Sequence, residues 1–242
     1  MLNRLKGKIR SVGWSDTAFF IVALLVQRAS FGFVRLIKYY FVAQPVPQGA
    51  EVAAREGGRT QSYLSSHADA VIAQAPRPVH VIHDRFAQGA RCVVAKRHDE
   101  LAGFIWLCPQ TYREDEVRCV YRWTPSQAAV WDFDVFIVPR FRMGRLFVRL
   151  WEKAHAQLRS DGVAWTLSRI DAFNSESLTA HSKLGAQTLG RGWFLVAGRI
   201  QLSLLSVSPY WHFSMTDDDA TQVFFDLSSL AVPPPQTSLQ PG

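Results

Sequence analysis

Cysteine is scarce in this sequence of 242 residues: it has only Cys92, Cys108 and Cys119. Three scattered cysteines exclude a disulfide framework and a zinc site, and they read as small buried hydrophobes in a reducing, cytoplasmic compartment. Charge is sparse as well, at 19% Asp, Glu, Lys and Arg against 48% hydrophobic residues, which excludes a disordered or low-complexity chain. The apolar run at residues 17–26 is ten residues long, whereas a membrane-spanning helix needs roughly 20. There is no internal repeat, EF-hand loop, Walker A loop, G-x-G-x-x-G turn, C-x-x-C pair or G-x-S-x-G elbow. Those absences remove most motif-defined enzyme classes.

What charge there is has an address. Lys and Arg number 27 against 20 Asp and Glu, a formal +7. Residues 1–40 hold Arg4, Lys6, Lys8, Arg10, Arg28, Arg35 and Lys38 against Asp16 alone, so +6 of the total lies there. The remainder is almost neutral, so an extended nucleic-acid-binding face is not expected. Residues 1–33 read as a basic and apolar helical segment, with Ser15 or Asp16 as its cap. The helical pattern continues through FGFVRLIKYYFV, placing Arg28, Arg35 and Lys38 on one face. Three readings stay open for this segment. It has the positive start and short apolar run of a signal peptide, without a small-residue cleavage site. It suits an interfacial helix on an anionic membrane surface, peripheral to the inner membrane. It equally suits a helix packed on the protein's own core.

The body, residues 34–206, alternates element types. YLSSHADAVIAQA reads as a short helix closed by Pro76 and Pro78. Residues 90–97 and 101–109 form a hairpin about His98–Asp99–Glu100, and the TYREDEVR stretch reads as a solvated loop. AVWDFDVFIVP (129–139) is a buried central strand. Helical spacing of Leu146, Phe147, Leu150, Trp151, Ala154 and Leu158 predicts a helix over 142–160, stopped by Gly162. Residues 163–170 are a strand, and a second helix starts at Asn174 and ends at Gly185, with Phe173 and Leu178 as its hydrophobic staple. A last strand region covers 188–205. This order predicts an α/β (α+β) domain: a mixed, mostly antiparallel central sheet flanked by helices. Residues 207–242, with TDDDA and PPPQTSLQPG, read as a largely disordered extension. His80 and His83 in VHVIHD, placed on a strand, would face opposite ways, so no metal site is expected.

Two segments carry chemistry. The loop RFRMGRL feeds a helix N-terminus, where free N–H groups and Arg140, Arg142 and Arg145 suit a phosphate; a solvated basic turn is the alternative. Asp132 and Asp134 lie two apart on the strand leading there, which puts both on one face as candidate bases. Pairing with Arg122, Arg169 or Arg191 is the structural alternative. Glu114 and Glu116 are weaker candidates.

From about residue 90 to 205 the chain resembles the GNAT superfamily of acyl-CoA-dependent N-acetyltransferases. Val138-Pro139-Arg140-Phe141-Arg142-Met143-Gly144-Arg145-Leu146 stands where that family has V-x-P-x-[YF]-R-G-x-G-x-[GA], keeping only Gly144 of its glycines. Asn174-Ser-Glu-Ser177-Leu-Thr-Ala180-His181-Ser-Lys183-Leu184-Gly185-Ala186 follows N-x-x-[AS]-x-x-[LA]-Y-x-K-x-G-[FA], with His181 in place of the tyrosine. The resemblance implies a GNAT-like sheet splayed at an acetyl-CoA site, with acetyl-CoA (or another acyl-CoA) as co-substrate and an amine acceptor. It implies that CoA phosphates sit on backbone N–H groups of Arg142, Met143, Gly144, Arg145 and Leu146. The pantetheine arm would follow Phe136, Ile137 and Val138, and Asn174 would touch the CoA arm. Asp134 or Asp132 would be the base and His181 the acid. The wider texture resembles GNAT proteins of bacterial envelope-polysaccharide contexts. A GNAT-like scaffold that has lost catalysis is the competing expectation.

Overall fold

The computed structural model describes residues 13–48, 60–66, 69–142 and 145–230. They fall into two compact units: Met1–Gln44, Thr111–Thr124 and Leu167–Asp226 contribute to the first, and Pro45–Gln110, Pro125–Thr166 and Leu227–Gly242 to the second. Both are α/β, and their strands pair mostly antiparallel. No helix among the described residues is long and apolar enough to cross a membrane.

The first unit opens with helix α1 (Trp14–Ala29) and strand β1 (Val34–Pro45). The expected helix through residues 34–45 is therefore a strand. Its aromatic and β-branched residues alternate faces, and it is paired along its length with β9 (Gln187–Ala197). Neither Ser15 nor Asp16 caps α1; the helix starts from Gly13 with no side-chain cap, and Asp16 is buried in its first turn. The Asp16 carboxylate takes Lys38 Nζ at 2.5 Å and the Tyr40 hydroxyl at 2.7 Å. Burial and that hydrogen bond push the Tyr40 phenol up to about 12.

Within this unit the order is β11 (Trp211–Ser214), β10 (Ile200–Leu205), β9, β1 and β8 (Trp165–Asp171). Sequence spacing shows 188–205 as one strand region; Gly198, at φ 55, breaks it into the β9–β10 hairpin. One face of this sheet buries Tyr39, Phe41 and Phe194. It meets Tyr121 and Phe225 of a smaller sheet ordered β12 (Thr221–Asp226), β6 (Cys119–Thr124), β5 (Thr111–Arg113). Residues 211–226 are thus structured, not a disordered extension. TQVFFD buries Thr221, Val223 and Phe225 in alternation, and β12 joins β6 in parallel. The PPPQTSLQPG tail lies outside the described residues.

The second unit orders β7 (Ala129–Ile137), β4 (Glu100–Cys108), β3 (Arg91–Arg97) and β2 (Thr60–Ser65). Helix α3 (Leu146–Ser160) buries Leu146, Leu150, Trp151, Ala154 and Leu158 against Val93, Ile105, Leu107 and Val130 of that sheet. The predicted stripe is the one used except at Phe147, which is exposed. The YLSSHADAVIAQA segment is not a helix: its first three residues end β2, and a 3-10 turn, Ile72–Gln74, follows. VHVIHDRFA is helix α2 (Val79–Ala87), so the strand argument about His80 and His83 fails; both are exposed. Among the described residues no group of three or more His, Cys, Asp or Glu could hold a metal ion.

Candidate active site

In the second unit the chemistry-bearing strand is β7. Its pairing with β4 slips between Phe104 and Trp106: Trp106 faces Phe133 and Phe104 faces Phe136. Asp134 sits in that bulge with φ 46, a left-handed backbone that a non-glycine residue adopts only when its surroundings impose it. The bulge overturns the same-face expectation for the two aspartates. Asp132 keeps the parity of Val130, opposite Leu107, and is buried. Asp134 turns to the other face, among the rings of Trp106 and Phe133.

There it is held by two arginines that sequence reasoning did not select. Arg77 Nε donates to Oδ2 at 2.9 Å and Arg77 Nη2 to Oδ1 at 2.5 Å; Arg85 Nη1 donates to Oδ2 at 2.5 Å. The Arg85 guanidinium lies over Trp106 and Phe133, and that of Arg77 over Phe104 and Phe136. Both carboxylate oxygens are thereby engaged by guanidinium N–H groups. The expected arginine partners were Arg122, Arg169 or Arg191; the actual ones are Arg77, just before α2, and Arg85, within it, both invisible to spacing along β7.

Beyond the bulge the chain packs tightly. A Cβ on Gly103 would lie 2.7 Å from the Phe136 carbonyl oxygen and from Ile137 Cδ1, so only glycine fits there. The Val138 N–H donates to the Ala102 carbonyl at 2.9 Å, which commits it to the sheet. Pro139–Phe141 form a 3-10 turn, and Arg142 Nε reaches back to the Ile137 carbonyl at 3.1 Å. Arg140 pairs with Glu100. Helix α3 starts at Leu146, four residues later than predicted, and has no side-chain cap. Its first-turn N–H groups therefore fit an anion, beside the exposed Arg145. Leu146 itself points into the core. Met143 and Gly144 lie outside the described residues. A pocket of about 350 Å³ opens along this segment, lined by Gln74, Pro76, Glu100, Leu101, Phe136, Val138 and Arg140.

In the first unit Asn174 caps helix α4 (Ser175–Lys183), accepting from the Ser177 N–H at 3.0 Å, as its sequence position predicts. The helix closes at Gly185 (φ 79), where the Ala186 N–H donates to His181 O and the Gly185 N–H to Ser182 O. Phe173 packs on Phe19 and Phe20 of α1. His181 is half-buried; burial lowers its pKa and its Nδ1 has no hydrogen-bond partner. The imidazolium expected of a general acid is thereby disfavoured at neutral pH.

The same unit holds a second acidic centre. Glu114 does not lie in a solvated loop: its side chain is 0% exposed and takes Arg169 Nε and Nη2 on its two oxygens, each at 2.5 Å. Burial raises the Glu114 pKa against the pull of Arg169, and the Arg169 guanidinium, opposed by burial, is held above its ordinary value by Glu114. The Tyr39 hydroxyl donates to Glu116 at 2.6 Å, and burial pushes that phenol up. Spacing gave no sign of this centre, because Glu114 and Arg169 are 55 residues apart.

The sequence matches no family model and no curated protein. Among solved structures it is similar to a functionally unknown conserved protein from Staphylococcus epidermidis, at 10% identity over 71% of this chain and 66% of that one, TM-score 0.42. It is similar at 14% identity to a GCN5-related glucosamine N-acetyltransferase region of a fungal multi-domain GH3 β-N-acetylglucosaminidase, covering 71% of this chain and 22% of that one, TM-score 0.47. A tandem GNAT protein from the clavulanic acid biosynthesis pathway shares 12% identity over 70% of this chain and 56% of that one, TM-score 0.44. The chain spans less than two thirds of the length of each of these structures. The functional reading must be carried by its own residues.

Proposed function

We propose that this chain is an acyl-CoA-dependent N-acyltransferase of the GNAT type. One succession supports the reading: strand β7, Val138-Pro139, the arginine loop, an uncapped α3, strand β8, and an α4 capped by Asn174 and closed at Gly185. It is the order in which the two family-like motifs stand in the sequence. In this reading the first turn of α3 and Arg145 hold the CoA phosphates, with Arg142, Met143 and Gly144 completing the loop. Phe136, Ile137 and Val138 run beside the pantetheine arm, and a backbone N–H at Phe136 polarises the thioester oxygen. The acceptor's neutral amine attacks the thioester carbonyl and the C–N bond forms; the C–S bond then breaks, the nitrogen gives up a proton and the departing CoA thiolate takes one up, leaving amide and CoA thiol. The acceptor is an amine of an envelope-polysaccharide sugar or of a related lipid-linked or peptide compound.

A second reading is favoured by the state of the acid–base candidates. Asp134 is clamped, Asp132 is buried and His181 is kept from protonating. A GNAT-like protein with those groups given over to structure would bind acyl-CoA without turning it over. Calorimetry with acetyl-CoA, paired with a free-thiol assay on a panel of amino sugars and small peptides, separates the two. Binding with release of CoA thiol supports the enzyme, and binding without release supports the binding protein. No heat up to millimolar acetyl-CoA sinks both.

A further inference from the structure

Helix α1 is inside out. The side chains it turns away from its own unit are Trp14, Ala18, Ile21, Val22 and Leu25, at the spacing of one continuous helical stripe. Trp14 is 76% and Leu25 59% exposed, while the polar Asp16 and Thr17 are buried along with Ala23. The sheet beside it repeats the inversion. Register sets Leu195, Leu202 and Phe213 side by side across β9, β10 and β11, and Trp193, Leu204 and Trp211 in the next row. They share the face of Lys38, which is the face α1 sits on, since Lys38 pairs with Trp193 across strands and with Asp16 of the helix. Nothing in the described first unit covers the outer end of those rows: Leu204 is 47% and Trp211 66% exposed. The turn leaving α1 joins the two surfaces. Phe31 stands 99% exposed, and the Phe33 ring lies over Gly198, where a Cβ would meet it at 2.9 Å. Helix stripe, turn and sheet rows form one apolar face, far more than the scattered hydrophobics of an ordinary surface.

Its charge is one-sided. Residues 13–48 contain one acid, Asp16, and that one is buried against Lys38; residues 187–215 contain none. Exposed Arg28 ends α1, and Arg191 and Arg199 belong to β9 and its turn. The sequence ahead of α1 adds Arg4, Lys6, Lys8 and Arg10. A second copy of this chain would bring cationic rims together, which opposes a self-complementary dimer. A bulk apolar phase under a negatively charged surface satisfies both halves, with the exposed tryptophans placed where indole rings prefer to lie.

We propose that this face of the first unit is a docking surface for an anionic lipid bilayer, on which the protein lies without spanning it. Trp14, Leu25, Phe31, Leu204 and Trp211 enter the acyl boundary, and the arginines meet lipid phosphates. The proposal is independent of acyl transfer. Its test uses the full chain with phosphatidylcholine vesicles, with and without phosphatidylglycerol, in flotation and in tryptophan quenching by brominated lipid. Expected are binding at least about tenfold tighter to the phosphatidylglycerol vesicles, weakening as salt rises, and quenching that falls in a Trp14→Phe, Trp211→Phe variant. The pair Leu25→Glu with Leu204→Glu abolishes flotation while circular dichroism and melting temperature hold. Equal binding to both vesicle types, absent quenching of the unaltered protein, or flotation that survives the glutamates would each overturn it. So would a lipid-independent dimer in sedimentation that excludes vesicle binding.

Discussion

Replacing Asp134 by asparagine keeps the size and shape of the side chain and its tolerance of a left-handed backbone, and removes only the charge. Arg85, 6% exposed at its side chain, then loses its carboxylate, and Arg77, 32% exposed, loses a bidentate partner. Stranding a buried guanidinium costs about 3–5 kcal/mol, and an ion pair open to water to the extent of the Arg77 one adds little. An amide oxygen still accepts one hydrogen bond, so the lower end, about 3 kcal/mol, is the expected loss. For a chain of this size that lowers the melting temperature by about 6–12 °C. Asp134→Ala should lose a further ~1 kcal/mol, since alanine at φ 46 is strained and makes no hydrogen bond at all. Urea unfolding of the three proteins measures both differences. Turnover, assayed at a temperature where each is folded, should change little in Asp134→Asn, because both carboxylate oxygens are engaged by Arg77 and Arg85 in holding β7. Stability unchanged within about 1 kcal/mol together with a hundredfold fall in turnover would refute this reasoning and return Asp134 to the role of base.

Three further outcomes are expected. Gly103→Ala drives a Cβ onto the Phe136 carbonyl oxygen, which cannot move without breaking the β4–β7 register; the loss is about 1–3 kcal/mol in urea unfolding, with acetyl-CoA affinity falling alongside. His155, its ring tilted against Trp151 in α3, has its pKa lowered by burial to about 4. Its contribution to stability is therefore complete above the unfolded value near 6.5 and is lost as pH falls toward 4. Urea curves should show about 2 kcal/mol of acid destabilisation between pH 7 and 4.5 that His155→Phe removes; equal acid losses in both proteins would discard the assignment. Glu114→Gln leaves Arg169 with only the more exposed Glu116 carboxylate, 3.3 Å away, and should cost about 2–3 kcal/mol, measured by thermal unfolding. A neutral effect would mean that the pair gains no more than it costs to bury.

How much of this was legible beforehand follows from how local each determinant is. The ends of α3 and α4 were readable because Gly162, Asn174 and Gly185 act on backbone groups within a few residues of themselves. The β7 run and the α3 stripe were readable because burial on a sheet or against one imposes a period. The same period misled over FGFVRLIKYYFV: a short apolar stretch with scattered bases satisfies helix and strand alike, and pairing with β9 chose strand. It misled again at Asp132 and Asp134, where alternation holds only for an unbroken ladder and one extra residue reverses the face.

By itself, then, the sequence determined the composition of the cores, the C-terminal end of α3 and both ends of α4, the motif order from β7 to α4 and the concentration of positive charge before residue 40. Tertiary structure alone decided which charges meet. Arg77 and Asp134 are 57 residues apart and Glu114 and Arg169 are 55 apart, and no propensity or period reaches that far along a chain. The apolar face of the first unit is of the same kind. Each of its residues looks like core in sequence, and only the packing of α1 and the register of β9, β10 and β11 leave them facing outward.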